Sequence, residues 1–434
     1  MLLRFAIENF SSFRSTVEFN TFPSSKSHRH DHHKKSCAHA TALQQTAIYG
    51  ANGAGKSNLI NAIRFLRDLI TAGSLKSMNI YDDVFFCLDP KSRHEHSNFA
   101  IEFFAEGKIF YYQVEFDKQR IYSETLLHSK RTVDANVFTR TGRTISIGDK
   151  SLGEGIMRMI RDDMPLLSFL GEFYPEISKS TSSAYRWLCD CIEVIRPDEM
   201  CRSIAHMLDI MPDFAEMANS TLPQLNKSIA KLEVKKEIIK ENAIKDNENL
   251  LKACEEAKRN PNTPCIVKNV FEDSSINVIY EDGVLYKKTL VCVHHDVNDE
   301  TVEMAPHMES DGTRRMIEYL PLFYMVLKQG KTIVVDEIER SMHPILIKGL
   351  VSKLSESRNV QGQLIFTTHE SGLLDQDIFR PDEIWMIEQD CMQSSQAYPL
   401  SDFNIHATAN IENGYLNGRY GAIPFLSNLK DLHW

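Results

Sequence analysis

The feature that most constrains this chain of 434 residues is segment 50–57, which reads Gly-Ala-Asn-Gly-Ala-Gly-Lys-Ser. It matches the full pattern G-x-x-x-x-G-K-[ST], in which glycines let the backbone turn around a phosphate chain with its N–H groups directed inward. The apolar residues 46–49 predict a short buried strand before it. Apolar residues recur every three or four positions from Leu59 to Ile70, which predicts an amphipathic helix after it. Strand, loop and helix in this order predict an α/β fold with phosphate bound at the helix N-terminus.

The lysine and the serine that end this loop have distinct predicted roles. Lys56 would bring positive charge to the β- and γ-phosphate oxygens, and Ser57 would place its hydroxyl on Mg²⁺. The residues predicted to contact the nucleotide lie in one short stretch: Gly50, Asn52, Gly53, Ala54, Gly55, Lys56, Ser57 and Asn58. We therefore expect ATP and Mg²⁺ as the ligands of this loop.

A second buried strand is predicted at 332–335, and Asp336 and Glu337 follow it directly. Asp336 would hold Mg²⁺ through the ion's water shell, and Glu337 would polarise the water that attacks the γ-phosphate. An apolar strand followed by Asp-Glu is common in proteins of every kind. In a chain with a phosphate-binding loop, and with further apolar strands predicted at 364–366 and 384–387, it indicates the catalytic acids of an ATPase on a parallel sheet.

Two further motifs lie on either side of these acids. Ser310, with Gly312 close behind it, precedes a predicted helix, so it can cap that helix and bind the anionic end of a nucleotide. His369 follows a predicted strand, and its imidazole could hydrogen-bond the γ-phosphate. Taken singly, each has an ordinary structural explanation as a helix cap or a strand-end histidine. Their order, with Ser310 before Asp336 and His369 after it, favours the functional interpretation.

The remaining segments predict how the protein is organised. Alternating apolar residues predict a β-hairpin in residues 1–20 and an antiparallel lobe in residues 98–145. Leucine and isoleucine at spacings of three and four, among lysine and glutamate, predict a coiled-coil-like arm at 220–259. The predicted parts are the N-terminal half of a head at 1–164, a helical insertion at 165–265 and the C-terminal half of the head at 266–434.

Composition bounds the class of protein. Hydrophobic residues make up 42% and charged residues 25%, as in ordinary globular proteins, which excludes a disordered or fibrous chain. No apolar run approaches the ~20 residues of a membrane span, and the N-terminus does not read as a signal peptide. Nine irregularly spaced cysteines predict no disulfide framework, so we expect a reducing cytoplasm and no membrane. The net charge of −10 argues against non-specific coating of nucleic acid, although a local basic face stays possible.

The four motifs in this order resemble the ATP-binding-cassette class of P-loop ATPases, and more closely its RecF/SMC/OLD branch. Residues 5–13 resemble the I-x-N-F-x-S-F opening of that branch, and residues 336–344 resemble its D-E-x-x-x-x-[LM]-H-P segment. Residues 310–313, Ser-Asp-Gly-Thr, stand where the cassette signature belongs. Residues 415–424 resemble the Y-L-x-G-R-Y-G-A-I-P tail of the AAA15 ATPases, which include the ATPases of RloA/AbiL-type and PARIS-type anti-phage systems.

This resemblance implies an ABC-type α/β head with an antiparallel β lobe and a helical or coiled-coil insertion, which hydrolyses ATP as a nucleotide-driven switch. It implies a homodimer or higher oligomer, in which the P-loop of one head would meet Ser310 and Gly312 of the other across bound ATP. Glu337 would be the general base, His369 the γ-phosphate switch and Ser341 part of the dimer-crossing loop. The Ser-Asp-Gly-Thr signature departs from the usual Ser-Gly-Gly-Gln, and no glutamine-loop residue is assigned.

In anti-phage relatives the implied role is a scaffold that senses a phage product and restrains an effector. We expect that effector, a Toprim-like nuclease or another toxin, to be a separate chain, because the residues after His369 are too few for an OLD-type nuclease domain. The alternative is a RecF-like DNA-repair ATPase that binds DNA directly through the lysines of arm 220–259. A dimer or partner-docking role for that arm is the competing interpretation.

Residues 28–33 carry four histidines, with Cys37 and His39 nearby. Imidazoles this dense bind zinc or nickel adventitiously, but a structural site needs fixed geometry. We interpret this stretch as a flexible loop between strands.

Overall fold

The computed structural model describes residues 1–78, 80, 84–129, 134–148, 154–199, 204–240, 247–269, 274–406 and 408–423. The chain divides into two compact units. The first unit combines Met1–Pro197, Val326–Glu339 and the residues from Lys348 onward, and the second combines Asp198–Met325 with Arg340–Ile347.

The strands, in chain order, are β1 (Leu2–Glu8), β2 (Val17–Asn20), β3 (Lys34–Cys37), β4 (Ala40–Leu43), β5 (Gln45–Gly50), β6 (Ser97–Ala105), β7 (Lys108–Phe116), β8 (Ile121–Ser129), β9 (Ala135–Thr141), β10 (Thr144–Ser146), β11 (Ile192–Ile195), β12 (Lys231–Ile238), β13 (Cys265–Asn269), β14 (Ser274–Glu281), β15 (Val284–His295), β16 (Thr301–Met304), β17 (Thr332–Val335), β18 (Gln363–Thr367), β19 (Ile384–Gln389) and β20 (Ser395–Pro399). The α-helices are α1 (Lys56–Ala72), α2 (Glu154–Met157), α3 (Leu166–Phe173), α4 (Lys179–Arg186), α5 (Ile204–Ile210), α6 (Pro212–Leu225), α7 (Glu248–Arg259), α8 (Asp311–Tyr324), α9 (Pro344–Ser355) and α10 (Ile411–Leu416).

The first unit contains an antiparallel sheet with the strand order β10-β9-β8-β7-β6-β1-β2. Along β6, buried and half-buried side chains alternate strictly, because successive side chains of a strand point to opposite faces. Phe99, Ile101 and Phe103 are the buried set. β1 pairs with β2 through Phe5 and Phe19. The predicted hairpin in residues 1–20 and the antiparallel lobe are therefore confirmed.

The second sheet of the first unit has the order β11-β17-β18-β5-β19-β20. Its first five strands are parallel, and β20 pairs antiparallel with β19 at the edge. All six residues of β5 are buried, as expected for a central strand of a parallel sheet. The phosphate-binding loop follows the carboxyl end of β5, where parallel sheets bind their ligands.

Helix α1 joins the two sheets into one hydrophobic core. Its apolar stripe, which includes Leu59, Ile63 and Leu66, belongs to the same buried cluster as Phe99 of β6 and Val334 of β17. This packing fixes the helix N-terminus, and hence the phosphate-binding loop, relative to the parallel strands. The predicted α/β head with an antiparallel β lobe is confirmed by this topology.

The second unit is built on an antiparallel sheet with the order β12-β15-β14-β13, and β16 pairs with β15. This corrects the predicted coiled-coil-like arm at 220–259. Helix α6 ends at Leu225, residues 231–238 form strand β12, and the described residues return to helix at 248–259 as α7. The leucine and isoleucine spacing that predicted this arm runs across helix α6 and strand β12. Leu232 is instead buried by pairing with Cys292 of β15.

The boundaries of the predicted insertion, 165–265, also differ from the second unit. Helices α3 and α4 lie in the first unit, because Leu166, Leu170 and Ala184 pack into its core. Strands β13 to β16 and helix α8 lie in the second unit. In the parts of the chain that the structure describes, no helix is both long and apolar enough to span a bilayer.

Candidate nucleotide-binding site

The phosphate-binding loop needs glycine at two positions. Gly53 and Gly55 have φ values of 79° and 111°, which residues with a side chain rarely adopt. A Cβ on Gly55 would also overlap the hydroxyl of Ser395. That hydroxyl donates a hydrogen bond to the carbonyl of Ala54 at 2.6 Å, and its oxygen lies within hydrogen-bond distance of Ser12 Oγ, at 2.7 Å. The loop therefore packs on two serines: Ser12, which is the serine of the opening motif in residues 5–13, and Ser395, which no sequence motif indicated.

Lys56, at the start of α1, is folded back onto the loop itself. Its Nζ donates hydrogen bonds to the carbonyls of Gly50 at 2.8 Å and Ala51 at 3.2 Å. Burial lowers the pKa of Lys56, and the carboxylates of Asp336, Glu339 and Glu337 act in the opposite direction. The ammonium is thus held among carbonyl oxygens that phosphate oxygens can replace.

A cleft of about 290 Å³ brings the predicted nucleotide contacts together. Its lining residues come from the loop, from the end of β17 and from the end of β18: Asn52, Gly53, Gly55, Lys56, Ser57, Asn58, Glu337 and His369. Of the eight contacts predicted in segment 50–58, two lie outside this lining, and so does the predicted metal ligand Asp336. The carbonyl of Gly50 accepts a hydrogen bond from Lys56 Nζ, and the side chain of Ala54 packs into the core.

The two acids after β17 are oriented by a residue that the sequence motifs did not reveal. The backbone N–H of Glu337 donates to Thr367 Oγ1 at 2.7 Å, and this hydroxyl donates to the buried carboxylate of Asp336. Glu337 itself has a φ of 51°. This left-handed backbone conformation is energetically unfavourable for residues other than glycine, and such residues are concentrated at functional sites. Thr367 therefore holds the carboxylate of Asp336 and the backbone of Glu337 at the carboxyl end of the sheet.

His369 lies two residues beyond Thr367 and lines the same cleft. Partial burial lowers its pKa, and the charge of Lys56 lowers it further. The neutral imidazole is therefore favoured at neutral pH, with one ring N–H available as a hydrogen-bond donor. Its backbone N–H donates to Glu339 Oε1 at 2.7 Å, a contact absent from the sequence-based prediction.

These donors and acceptors fit a nucleoside triphosphate with Mg²⁺. The cleft combines backbone N–H groups at left-handed glycines, the ammonium of Lys56 and the N-terminus of the 17-residue helix α1, all of which attract phosphate. Ser57 lines the cleft and Asp336 directly precedes the lining residue Glu337, so their oxygens, which Mg²⁺ prefers, are the ones that would hold the ion.

Family comparison matches residues 46–155 and 219–375, more than half of the chain, to the family described as "AAA domain, putative AbiEii toxin, Type IV TA system". The chain belongs to this AAA-domain family. It therefore carries an ATPase domain of the P-loop type. No curated protein matches the sequence.

Three solved structures illustrate the likeness of this AAA-domain protein to SMC heads. They are an SmcHead bound to the C-winged helix domain of ScpA (14% identity, 92% of this chain and 97% of that chain, TM-score 0.45), the SMC head domain from Thermotoga maritima (12%, 92% and 98%, 0.41), and the Smc head domain with an extended coiled coil bound to the C-terminal domain of ScpA from Pyrococcus furiosus (13%, 92% and 96%, 0.37). At these TM-scores the fold assignment rests on the strand order and on the P-loop.

The predicted signature lies in the second unit of the AAA-domain protein. Ser310 caps α8, since its Oγ accepts a hydrogen bond from the backbone N–H of Thr313 at 3.2 Å. A Cβ on Gly312 would come within 2.9 Å of the carbonyl oxygen of Ser341, so the signature and the predicted dimer-crossing residue are neighbours. Contact of Ser310 and Gly312 with nucleotide on a second copy stays a prediction.

The C-terminal motif packs beside the segment that follows His369. The ring of Tyr415 lies 5.8 Å from that of Tyr49 in β5, whose hydroxyl donates to the carbonyl of Glu370 at 3.2 Å. Ser371 Oγ donates to Glu412 Oε1 at 2.8 Å. Tyr415 of the tail motif therefore packs on β5, and Glu412, just before the motif, contacts the segment after His369. The last residue of the motif, Pro424, lies outside the described residues.

The histidine-rich segment differs from the predicted flexible loop because its carbonyls and rings are held in place. The buried guanidinium of Arg380 donates to the carbonyls of Ser27 and Arg29, and His33 Nδ1 lies 2.9 Å from Glu383 Oε1. One ring nitrogen from each of His30, His32 and His33 lies within 4.8 Å of the others. The Nε2 atoms of all three contact backbone carbonyls, and the rings of His30 and His33 are stacked, which leaves no common point for a metal in both ring planes.

Proposed function

We propose that this AAA-domain protein is a Mg²⁺-dependent ATPase that uses its bound nucleotide as a conformational switch. The observation that carries the proposal is the convergence of Lys56, Ser57, Glu337 and His369 on one cleft at the carboxyl end of the parallel sheet. Lys56 and Ser57 come from the start of α1, Glu337 from the turn after β17 and His369 from the turn after β18. Together they supply the positive charge, the metal oxygen, the base and the donor that phosphoryl transfer to water requires.

The chemistry assigns one task to each side chain. Lys56 leaves the carbonyls of Gly50 and Ala51 to bind phosphate oxygens. Glu337, held by Thr367, accepts a proton from the attacking water. His369 in its neutral form donates its ring N–H to the γ-phosphate. A bound Mg²⁺ supplies the positive charge that stabilises the phosphate oxygens.

The switch follows from contacts that only the γ-phosphate makes. ATP and ADP differ in that group, so Lys56 and His369 have different interactions in the two states, which is the requirement for a ligand-driven shift. We propose that two heads close around ATP, with Ser310 and Gly312 of one copy facing the P-loop of the other, and that hydrolysis lets them separate.

For the biological use of this switch we propose cytoplasmic anti-phage defence, in which the ATPase restrains a separately encoded effector until a phage product arrives. The family description, which names a putative toxin and a toxin–antitoxin system, supports this proposal, as does the AAA15-like tail. The eight cysteines among the described residues are free thiols, in keeping with a reducing compartment.

The alternative, a RecF-like ATPase that binds DNA directly, has less support from the lysines of residues 220–259. Lys231, Lys235 and Lys236 of β12 form ion pairs with Glu233, Glu303 and Glu281, respectively. Positive charges that are already matched by carboxylates do not form the basic stripe that phosphate backbones need.

The test of the proposed activity compares wild type, Glu337→Gln and the exposed-surface control Glu356→Gln. Light-scattering mass and ATP turnover are measured with and without Mg-ATP. We expect Glu337→Gln to lose turnover yet keep ATP and remain in a closed assembly, whereas Glu356→Gln behaves as wild type. Hydrolysis by Glu337→Gln at the wild-type rate would refute the catalytic assignment. If the mass of the wild-type protein is the same with and without Mg-ATP, the proposal that two separate heads close around ATP is refuted.

The test of the biological use challenges cells that carry the native operon with phage. Protection by wild type and its loss in Lys56→Ala are expected for a defence switch. DNA binding by the purified protein that weakens steeply with salt, without protection of cells, would favour the RecF-like alternative.

A further inference from the structure

The turn after β17 and the turn after β18 are joined by a run of hydrogen bonds. Thr367 Oγ1 connects to both Glu337 and Asp336, and the backbone N–H of Ile338 donates to the carbonyl of Thr367 at 3.1 Å. The last bond of this run is the one from the His369 N–H to Glu339 Oε1. Glu339 thereby supplies a side-chain contact to the backbone of the predicted γ-phosphate switch.

The other oxygen of Glu339 is buried and has no hydrogen-bond partner among the described residues. Glu339 is half-buried: one oxygen bonds the switch residue and the other is enclosed by protein. A carboxylate placed in this way has a more specific role than a surface charge.

Resting on the proposed ATPase function, we propose that Glu339 is a positioning residue that holds His369 over the cleft and thereby lets the protein distinguish ATP from ADP. The carboxylate fixes the backbone of His369 at its N–H, so the imidazole is already in place when the γ-phosphate arrives. A donor that is placed in advance need not be ordered on binding, and this benefit exists only for the nucleotide with a γ-phosphate.

The inference predicts an effect on ATP that is absent for ADP. In a Glu337→Gln background, which prevents turnover, the dissociation constants of Mg-ATP and Mg-ADP are measured by calorimetry. We expect Glu339→Ala to weaken ATP binding by roughly tenfold or more, the value of one charge-assisted hydrogen bond, and ADP binding by less than twofold. Glu339→Gln keeps a carbonyl oxygen for the His369 N–H and should restore most of the ATP affinity.

Glu370 provides a matched control in the adjacent residue. Its Oε1 also accepts a backbone N–H bond, from Gly372 at 3.0 Å, but it does not contact His369 in this way. We expect Glu370→Ala to bind both nucleotides as the background does. Retained ADP binding in every variant reports that the P-loop is folded.

A double-mutant cycle with His369→Ala decides whether Glu339 acts through His369. If it does, Glu339→Ala adds nothing to the loss of ATP affinity already caused by His369→Ala. Additive losses, equal losses for ATP and ADP, or failure of Glu339→Gln to restore affinity would each overturn the inference. Failure of the proposed function itself is distinct, because the Glu337→Gln background would then bind neither nucleotide.

Discussion

The hydroxyl of Thr367 accepts a hydrogen bond from the backbone N–H of Glu337 at 2.7 Å. The same hydroxyl donates to Asp336, so one side chain on β18 orients the two acids that follow β17. Thr367→Val keeps the shape and removes both bonds. We expect turnover to fall about tenfold or more while ATP still binds, since a bond to a charged group contributes ~1.5–3 kcal/mol.

Thr46→Val in β5 is the control for that substitution. The Thr46 hydroxyl is also buried but has no hydrogen-bond partner among the described residues, so its removal should leave turnover and stability near wild type. Equal turnover in the two variants would show that Thr367 does not orient the acids.

Gly55→Ala should impair the P-loop more than its backbone conformation alone explains. An alanine at position 55 has to adopt an unfavourable positive φ, and its Cβ would also overlap the hydroxyls of Ser395 and Ser12. Gly142→Ala, at φ 57° with nothing within 4 Å, reports the cost of a positive φ without a steric clash, about 1–2 kcal/mol. We expect Gly55→Ala to lower the free energy of unfolding by a further ~1–3 kcal/mol from overpacking and to abolish ATP binding. Thermal unfolding measures the change in stability, and calorimetry measures ATP binding. Identical melting temperatures of Gly55→Ala and Gly142→Ala would contradict the packing of the loop against the two serines.

Glu281 gives the second unit an acid-sensitive stability. Burial alone would raise its pKa, but hydrogen bonds and charges from Lys236 and Lys288 outweigh burial, and the pKa is lowered. Its ionised form therefore stabilises the fold at pH values above the ordinary carboxyl pKa, and this contribution is lost as the pH falls through the lowered one. Lys288 is fully buried and also pairs with Asp209 at 2.7 Å.

We expect Glu281→Gln to destabilise the protein by about 1–3 kcal/mol at pH 7, because one partner of a buried cation is lost while Asp209 remains. The difference from wild type should shrink as the pH falls below about 4. Denaturant unfolding from pH 3 to pH 7 measures it, with the exposed Glu237→Gln as control. A constant difference across this range would contradict the assigned linkage.

Glu124 of β8 caps the N-terminus of helix α3. Its buried carboxylate accepts the backbone N–H groups of Leu166 at 2.6 Å and Leu167 at 2.8 Å, and the hydroxyl of Tyr112 at 3.0 Å. Glu124→Ala leaves three buried donors unpaired and should cost about 3 kcal/mol or more. Glu115→Ala, on the neighbouring strand and partly exposed, should cost less than about 1 kcal/mol. Equal melting temperatures of the two variants would refute this role.

The errors of sequence-based prediction have a common physical cause. Residues 231–238 alternate apolar and charged side chains well enough for a strand and, with their neighbours, well enough for a helix. Strand β15 decided the matter by pairing with every residue of that segment. The predicted extent of the helical insertion was wrong for the same reason. α3 and α4 are helices, as expected, but they pack into the core of the first unit.

The sequence by itself determined the chemistry of the site and its local frame. The strand β5, the glycine loop and α1 are contiguous, so the glycine pattern and apolar periodicity sufficed to predict them. Asp336, Glu337 and His369 follow apolar strands that the sequence also predicts. Only the tertiary structure decided what holds those residues in place: Ser12 and Ser395 beneath the loop, Thr367 between the acids, and Glu339 on His369. These supports come from segments far apart in the chain, and a single hydroxyl or carboxylate carries no periodicity that could reveal its partner before the strands are ordered side by side.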